Sequence, residues 1–284
     1  MKESRNMKQN SEIYKVIDAH THIFPDKIAD KAKITVGEFY NLPMYTKGTY
    51  DELKKVSGTD DTGRYEIVKQ LVCSPAAIPS QTKSINTFIA SICDKDNSLI
   101  GLGTLHRDNE DYIAELDRIE ELGLKGVKFH FDFQQFNIDD EKMFDIYEEI
   151  ARRNMFVLFH MGDQNVDYSN PLRLRKVIER VSNLKIIAAH LGGYRHFEEA
   201  YTLPYSKNVY FDVSSVISFM TDEELRAMIN KYGINHIFFG SDFPMWNPFE
   251  ELYKLEKFNL TQEELRAIEY DNFAKFIEEY QTCN

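Results

Sequence analysis

The strongest constraint on the fold is a rhythm: short apolar runs recur along the chain and amphipathic stretches separate them. The runs fall at Tyr14–Ala19, Glu66–Cys73, Leu99–Thr104, Gly126–Phe129, Phe156–Phe159, Lys185–Ala189, Val209–Val213 and Ile237–Gly240. Strands buried on both faces read as near-continuous hydrophobic segments, which points to a parallel sheet whose crossovers are helices. Helical patterns fill most intervals, at Asn109–Leu122, Asp139–Arg153, Asn170–Val181, Thr221–Tyr232 and Pro248–Phe258. Asn-Pro at 170–171 and 247–248 marks two helix starts, with a polar cap followed by a proline in the first turn. Eight βα units with right-handed crossovers predict an α/β fold, a (β/α)8 TIM barrel, over a single domain spanning 1–284.

One interval breaks the rhythm. From His20 to Cys73 the chain is about twice as long as a typical repeat here, so an insertion over approximately 35–62 is expected after the first strand. Short helices are predicted at Asp26–Lys33 and Tyr50–Val56, with an irregular Gly37–Lys47 between them. Long βα loops lie at the catalytic end of such barrels, so Phe39, Tyr40 and Tyr45 are candidates for a substrate pocket. Thr261–Tyr280 reads as a final amphipathic helix that begins with a capping box and closes the bottom or flank of the barrel.

The chemistry is carried by what ends each run. The first continues into Asp18-Ala-His20-Thr-His22, where strand alternation puts both imidazoles on one side. The fourth, fifth and sixth runs end on His130, His160 and His190, and the eighth leads to Asp242. With 8 histidines in 284 residues, three further consecutive strand ends on histidine is a coincidence on the order of 10⁻⁵. Parallel strands bring these ends to one rim, where barrel enzymes place catalysis. Imidazole and carboxylate suit Zn²⁺ or another divalent ion, with one position left for water.

The motifs IDAHTHIFP, GVKFH, LFHMGD, AAHLGG and FFGSDFP, in order from residue 17 to 244, resemble the metal-dependent amidohydrolase superfamily, in particular its amidohydrolase-2 branch of hydrolases and decarboxylases. The resemblance implies one ion per chain, held by His20, His22, His160 and Asp242, with His190 contacting the activated water or substrate. Two-metal members use a carboxylated lysine at the end of strand four. Here His130 occupies that end and Lys128 lies two residues earlier, so a single metal is expected.

Asp242 and His190 are therefore the expected catalytic residues, and His130, Arg195 and Tyr40 the expected substrate contacts. The leading expectation is a hydrolase that uses metal-activated water on a small-molecule carboxylic ester, lactone or amide. Asp242 would take up the water proton, while His190 would orient the water or stabilise the oxyanion. The alternatives are non-oxidative decarboxylation or another carbon–carbon lyase reaction on an aromatic or muconate-type acid, and a barrel that binds a ligand without turnover.

Composition narrows the partners. A net charge of −12 repels nucleic acid and anionic lipid. No apolar stretch approaches membrane-spanning length, and the N-terminal MKESRNMKQNSE lacks the apolar core of a signal peptide. Cys73, Cys93 and Cys283 are few and far apart, as expected of a cytoplasmic chain. Small-molecule substrate is the expected partner, and a homodimer the expected assembly by base rate.

Overall fold

The computed structural model describes residues 13–280; the MKESRNMKQNSE segment and Cys283 lie outside the described residues. The barrel strands are β1 (Tyr14–His22), β2 (Tyr65–Cys73), β3 (Leu99–Gly101 continued by Gly103–Thr104), β4 (Gly126–Phe129), β5 (Phe156–Phe159), β6 (Lys185–Ala188), β7 (Val209–Asp212) and β8 (Ile237–Phe238). Each pairs in parallel with its neighbour in sequence. Leu102 joins the halves of β3, and its N–H donates to Val72 O at 2.9 Å. Closure comes just past β8: Ala19 N–H donates to Phe239 O at 2.9 Å, Asp242 N–H donates to His20 O at 2.9 Å, and Thr21 bridges Phe243 in parallel. The expected TIM barrel is the observed fold.

Helices surround this cylinder: α1 (Asp26–Tyr40), α2 (Tyr50–Lys55), α3 (Thr82–Cys93), α4 (Tyr112–Glu121), α5 (Phe131–Gln134), α6 (Glu141–Arg152), α7 (Pro171–Arg180), α8 (Phe197–Tyr201), α9 (Asp222–Tyr232), α10 (Pro248–Leu255), α11 (Gln262–Arg266) and α12 (Asn272–Glu278). Both Asn-Pro sites cap as expected, with Asn170 accepting from Leu172 N at 2.8 Å and Asn247 from Phe249 N at 2.9 Å.

Besides the short α5 and α8, which the pattern does not show, three elements differ from the expected pattern. The first helix does not stop at Lys33 but runs through Gly37 to Tyr40, because it ends in a built cap: Asn41 is left-handed at φ 52°, its N–H meets Glu38 O, and Leu42 N–H returns to Gly37 O. Helix α3, not expected, starts without a side-chain cap. The final helix widens into a π turn at Ala267–Asp271, which leaves Ile268 O to accept the Phe239 N–H at 2.7 Å and ties the helix to the last strand.

That last helix plugs the barrel. Phe273, Phe276, Ile277 and Tyr280 pack with the inward residues Ile17, Leu71, Phe156, Leu158 and Phe238, and the Phe156 and Phe276 rings meet edge-on at 5.0 Å. Burying each large side chain contributes about 1.5–3 kcal/mol. Outward residues such as Val127, Phe129, Val157 and Phe159 pack against the helices instead. Among the described residues no helix is long and apolar enough to cross a membrane.

Candidate metal centre

The opposite rim gathers ionisable groups. Register slips between Asp18 and Thr21 of β1 against β2, a one-residue bulge, and His20 within it and His22 just past it bring their Nε2 atoms to 3.1 Å from each other. Asp242 Oδ1 lies 3.6 Å from His20 Nε2 and 3.4 Å from His22 Nε2. Gly240 makes room for this approach: a Cβ there would stand 2.9 Å from His20 Cβ and 3.3 Å from Asp212 Cβ.

Each imidazole is oriented from behind. His20 Nδ1 donates to Asp212 Oδ2 at 3.0 Å, which leaves Nε2 as the lone-pair nitrogen. His190 Nδ1 donates to Ser214 O at 2.9 Å, and His160 Nε2 donates to Gly162 O at 3.0 Å. With those protons placed, His160 Nδ1 and His190 Nε2 face each other at 3.0 Å with lone pairs on both. Facing lone pairs repel unless a cation or a proton donor lies between them, and at His20 Nε2 the Lys128 Nζ, 3.0 Å away, is such a donor. Separations of 3.1, 3.4 and 3.6 Å between the His20, His22 and Asp242 atoms match the spread of ligand atoms around an ion with bonds of about 2.0–2.2 Å. The residues fit a divalent metal.

Electrostatics agree. Burial alone would raise the Asp242 pKa, but the hydrogen bond from His22 and the charges of His20 and His190 hold it well below the carboxylate range. Burial opposes protonation of His22 too, yet the Cys73 sulfur and the bond to Asp242 outweigh it and lift that imidazole to about 9. A divalent ion bound there would compete with that proton. At His20 burial dominates, helped by the Lys128 charge, and lowers the pKa to about 4. Lys128 itself is wholly buried with Nζ 3.0 Å from His20 Nε2, and burial lowers its pKa.

The sequence reading missed the hub of this arrangement. Asp212, fully buried, accepts from His20 Nδ1, from Ser214 N at 3.0 Å and from His190 N at 3.2 Å, and it also accepts from the Ser214 hydroxyl. Ser215 Oγ donates to Asp242 Oδ2 at 2.6 Å and accepts from Trp246 Nε1 at 2.9 Å. The available signal was Asp212-Val-Ser-Ser215, an acid inside an apolar run that ends on two serines. Left-handed backbone recurs here, with φ of 60° at His190, 50° at Leu191, 57° at Ser215 and 59° at Asp242. Each such residue costs on the order of 1–3 kcal/mol and is held only by its surroundings.

A cavity of about 470 Å³ opens above the rim, bounded below by His22, His130, His160 and Asp242 and along one side by α1. Tyr40 enters it, with its hydroxyl 3.0 Å from His130 Nε2 and 3.3 Å from His160 Nε2. The His130 ring is stacked between Phe133 and His160, with centroids 3.8 and 3.9 Å away. Its Nδ1 accepts from Phe133 N at 3.4 Å, so Nε2 carries the proton and donates to Tyr40, whose own proton is left for another acceptor. Phe39 lines the cavity; Tyr45 does not. Arg195 is also outside it, with its guanidinium 3.7 Å over the Phe219 ring.

The sequence profile of the amidohydrolase family matches residues 17–277. The chain belongs to the amidohydrolase family. It is 29% identical over 206 residues to 2-amino-3-carboxymuconate-6-semialdehyde decarboxylase of Dictyostelium discoideum, an alignment covering 59% of this chain and 57% of that protein. The chain thus spans little more than half the length of this curated relative. A 5-carboxyvanillate decarboxylase from Novosphingobium aromaticivorans, solved with manganese and 4-hydroxy-3-methoxy-5-nitrobenzoic acid, shares the fold at a TM-score of 0.71 and 15% identity, covering 96% of this chain and 100% of that one. A 2,6-dihydroxybenzoate decarboxylase complexed with 2,6-dihydroxybenzoate also aligns at a TM-score of 0.71, with 16% identity, covering 94% and 99%. The amidohydrolase family is metal-dependent, in accord with the imidazoles and carboxylate gathered on this rim.

Proposed function

We propose that this protein is a divalent-metal-dependent, non-oxidative decarboxylase of an aromatic or similarly conjugated acid. The observation that carries the reading is that His22, His160 and Asp242, three of the four proposed ligands, line a cavity walled by Phe39, Tyr40, Phe133 and the stacked His130 ring, where a flat conjugated body would lie against ring faces and edges. Similarity to three decarboxylases favours this over hydrolysis, the leading expectation from sequence.

A single bound ion, zinc or another divalent metal, would supply positive charge to fix the substrate carboxylate and a neighbouring oxygen. Tyr40 donates its free proton to a substrate oxygen. His190 Nε2, or Asp242 as the alternative, would take up a proton from solvent water and pass it to the carbon that loses CO₂, so the electrons of the broken carbon–carbon bond end in the new C–H bond. The Ser215 hydroxyl holds Asp242 in place, and Asp212 holds His20 and the His190 backbone.

Protein stripped by chelation, then reloaded with zinc or manganese, is assayed on ortho-hydroxybenzoates, muconate-type acids, lactones and esters. CO₂ release from an acid, lost on stripping and restored on reloading, is the expected result. Lactone or ester opening without CO₂ release would restore the hydrolase reading, and turnover by the stripped protein would contradict metal dependence.

A further inference from the structure

We propose that the substrate carries one carboxylate, taken at the metal end of the cavity, and an apolar arm that lies along α1. The fate of the carboxylate rests on the decarboxylase reading above; the arm rests on the cavity alone.

The volume, about 470 Å³, lies within the usual range for small-molecule sites, and α1 lines one side of it, with Lys31 and Thr35 beside an apolar stripe. Ile28, Ala32, Val36 and Phe39 line it at successive spacings of four, four and three, which is one stripe of α1. From Tyr40 at the floor back to Ile28 the helix rises about 18 Å, so an unsubstituted hydroxybenzoate would occupy only the metal end. Met44 and Pro75 also line the cavity. Ile28 is 42% exposed, an apolar side chain that a bound arm would cover.

The charges disfavour a polyanion. Among the described residues no arginine lines the cavity, and apart from the histidines its cationic side chain is Lys31, nine residues from Tyr40 along α1 and therefore near the outer end. Asp132 and Asp242 lie at the inner end, so a second carboxylate on a compact substrate would face these acids without a basic partner. An alkyl or similar chain meets the stripe on α1 and displaces water from it.

The test is calorimetric titration of the metal-loaded protein with 2-hydroxybenzoates bearing methyl, propyl, pentyl and heptyl arms, and with the same arms tipped by a carboxylate. CO₂ release is measured in parallel. Affinity should rise by about fourfold for each methylene that becomes buried until the wall is filled, and a terminal carboxylate should cancel the gain. In Ala32→Phe, which fills the middle of the wall, the rise should stop at a shorter arm; the series on the unaltered protein stands by itself if that variant does not fold. No gain with length, no binding by any member, or tighter binding of the carboxylate-tipped arm overturns the proposal. Rising affinity without CO₂ release keeps the arm and removes the decarboxylase reading, whereas CO₂ release with a flat series does the reverse.

Discussion

The two ends of the barrel are built from the same strands and could hardly differ more. Along β5 the inward positions are Phe156, Leu158 and then His160; along β8 and its continuation they are Phe238, Gly240 and Asp242. Near α12 the interior is aromatic, with Phe273 and Phe276 against Phe238. A few residues later along β1, β4, β5 and past β8 it is imidazole, carboxylate and the buried Lys128 side chain. The difference teaches a division of labour: burial at the plugged end stabilises the cylinder, and that stability offsets left-handed backbone and desolvated charge at the open end.

Substitutions at each end should separate these roles. The largest effect is expected for Asp242→Asn, which removes a proposed metal ligand and the alternative proposed proton carrier. Turnover should fall by about 10⁴-fold, roughly 5 kcal/mol, while the melting curve and far-UV circular dichroism stay close to those of the parent. At the other end, Phe276→Ala opens a cavity in the plug and should cost about 3 kcal/mol of stability in urea titrations, with metal affinity unchanged. If it weakens metal binding as much as a rim substitution does, the two ends are not separate.

Next in size is Asp212→Asn. Loss of the carboxylate behind His20 should weaken metal binding by about 10- to 100-fold in competition with a chelator; unchanged affinity would remove Asp212 from the metal centre. The smallest effect lies on the barrel's flank, where hydrogen bonds from Arg152 and Arg153 outweigh burial and hold Glu149 at about 2, below its ordinary 4.5. A folded-state pKa below the unfolded one stabilises the protein above pH 4.5, and that contribution drains away as pH falls toward 2. Glu149→Gln should therefore cost up to about 1 kcal/mol near neutral pH, less in acid, and nothing in turnover. A cost that grows in acid would contradict the sign.

Much of this division can be read from the sequence, for a physical reason. Parallel strands buried on both faces leave little choice but apolar residues, so a histidine or aspartate at the end of a run stands out, and the shared strand direction assembles those ends without any contact being known. His20, His22, His160, His190 and Asp242 are legible for that reason. Gly37 was misleading because a glycine looks like a helix stop, whereas its carbonyl serves the cap that α1 forms beyond it. Asp212 escaped notice because its role lies in hydrogen bonds to two other strand ends, which no single segment displays. Arg195 has the right chemistry for a carboxylate, but a left-handed turn at φ 62° carries it onto Phe219 instead.

The most direct test of the metal centre is anomalous X-ray scattering, at the absorption edge of the loaded metal, from crystals of the reloaded protein. One peak per chain bounded by His20 Nε2, His22 Nε2, His160 Nδ1 and Asp242 is the predicted result. A peak elsewhere, with that cluster holding none, would contradict it.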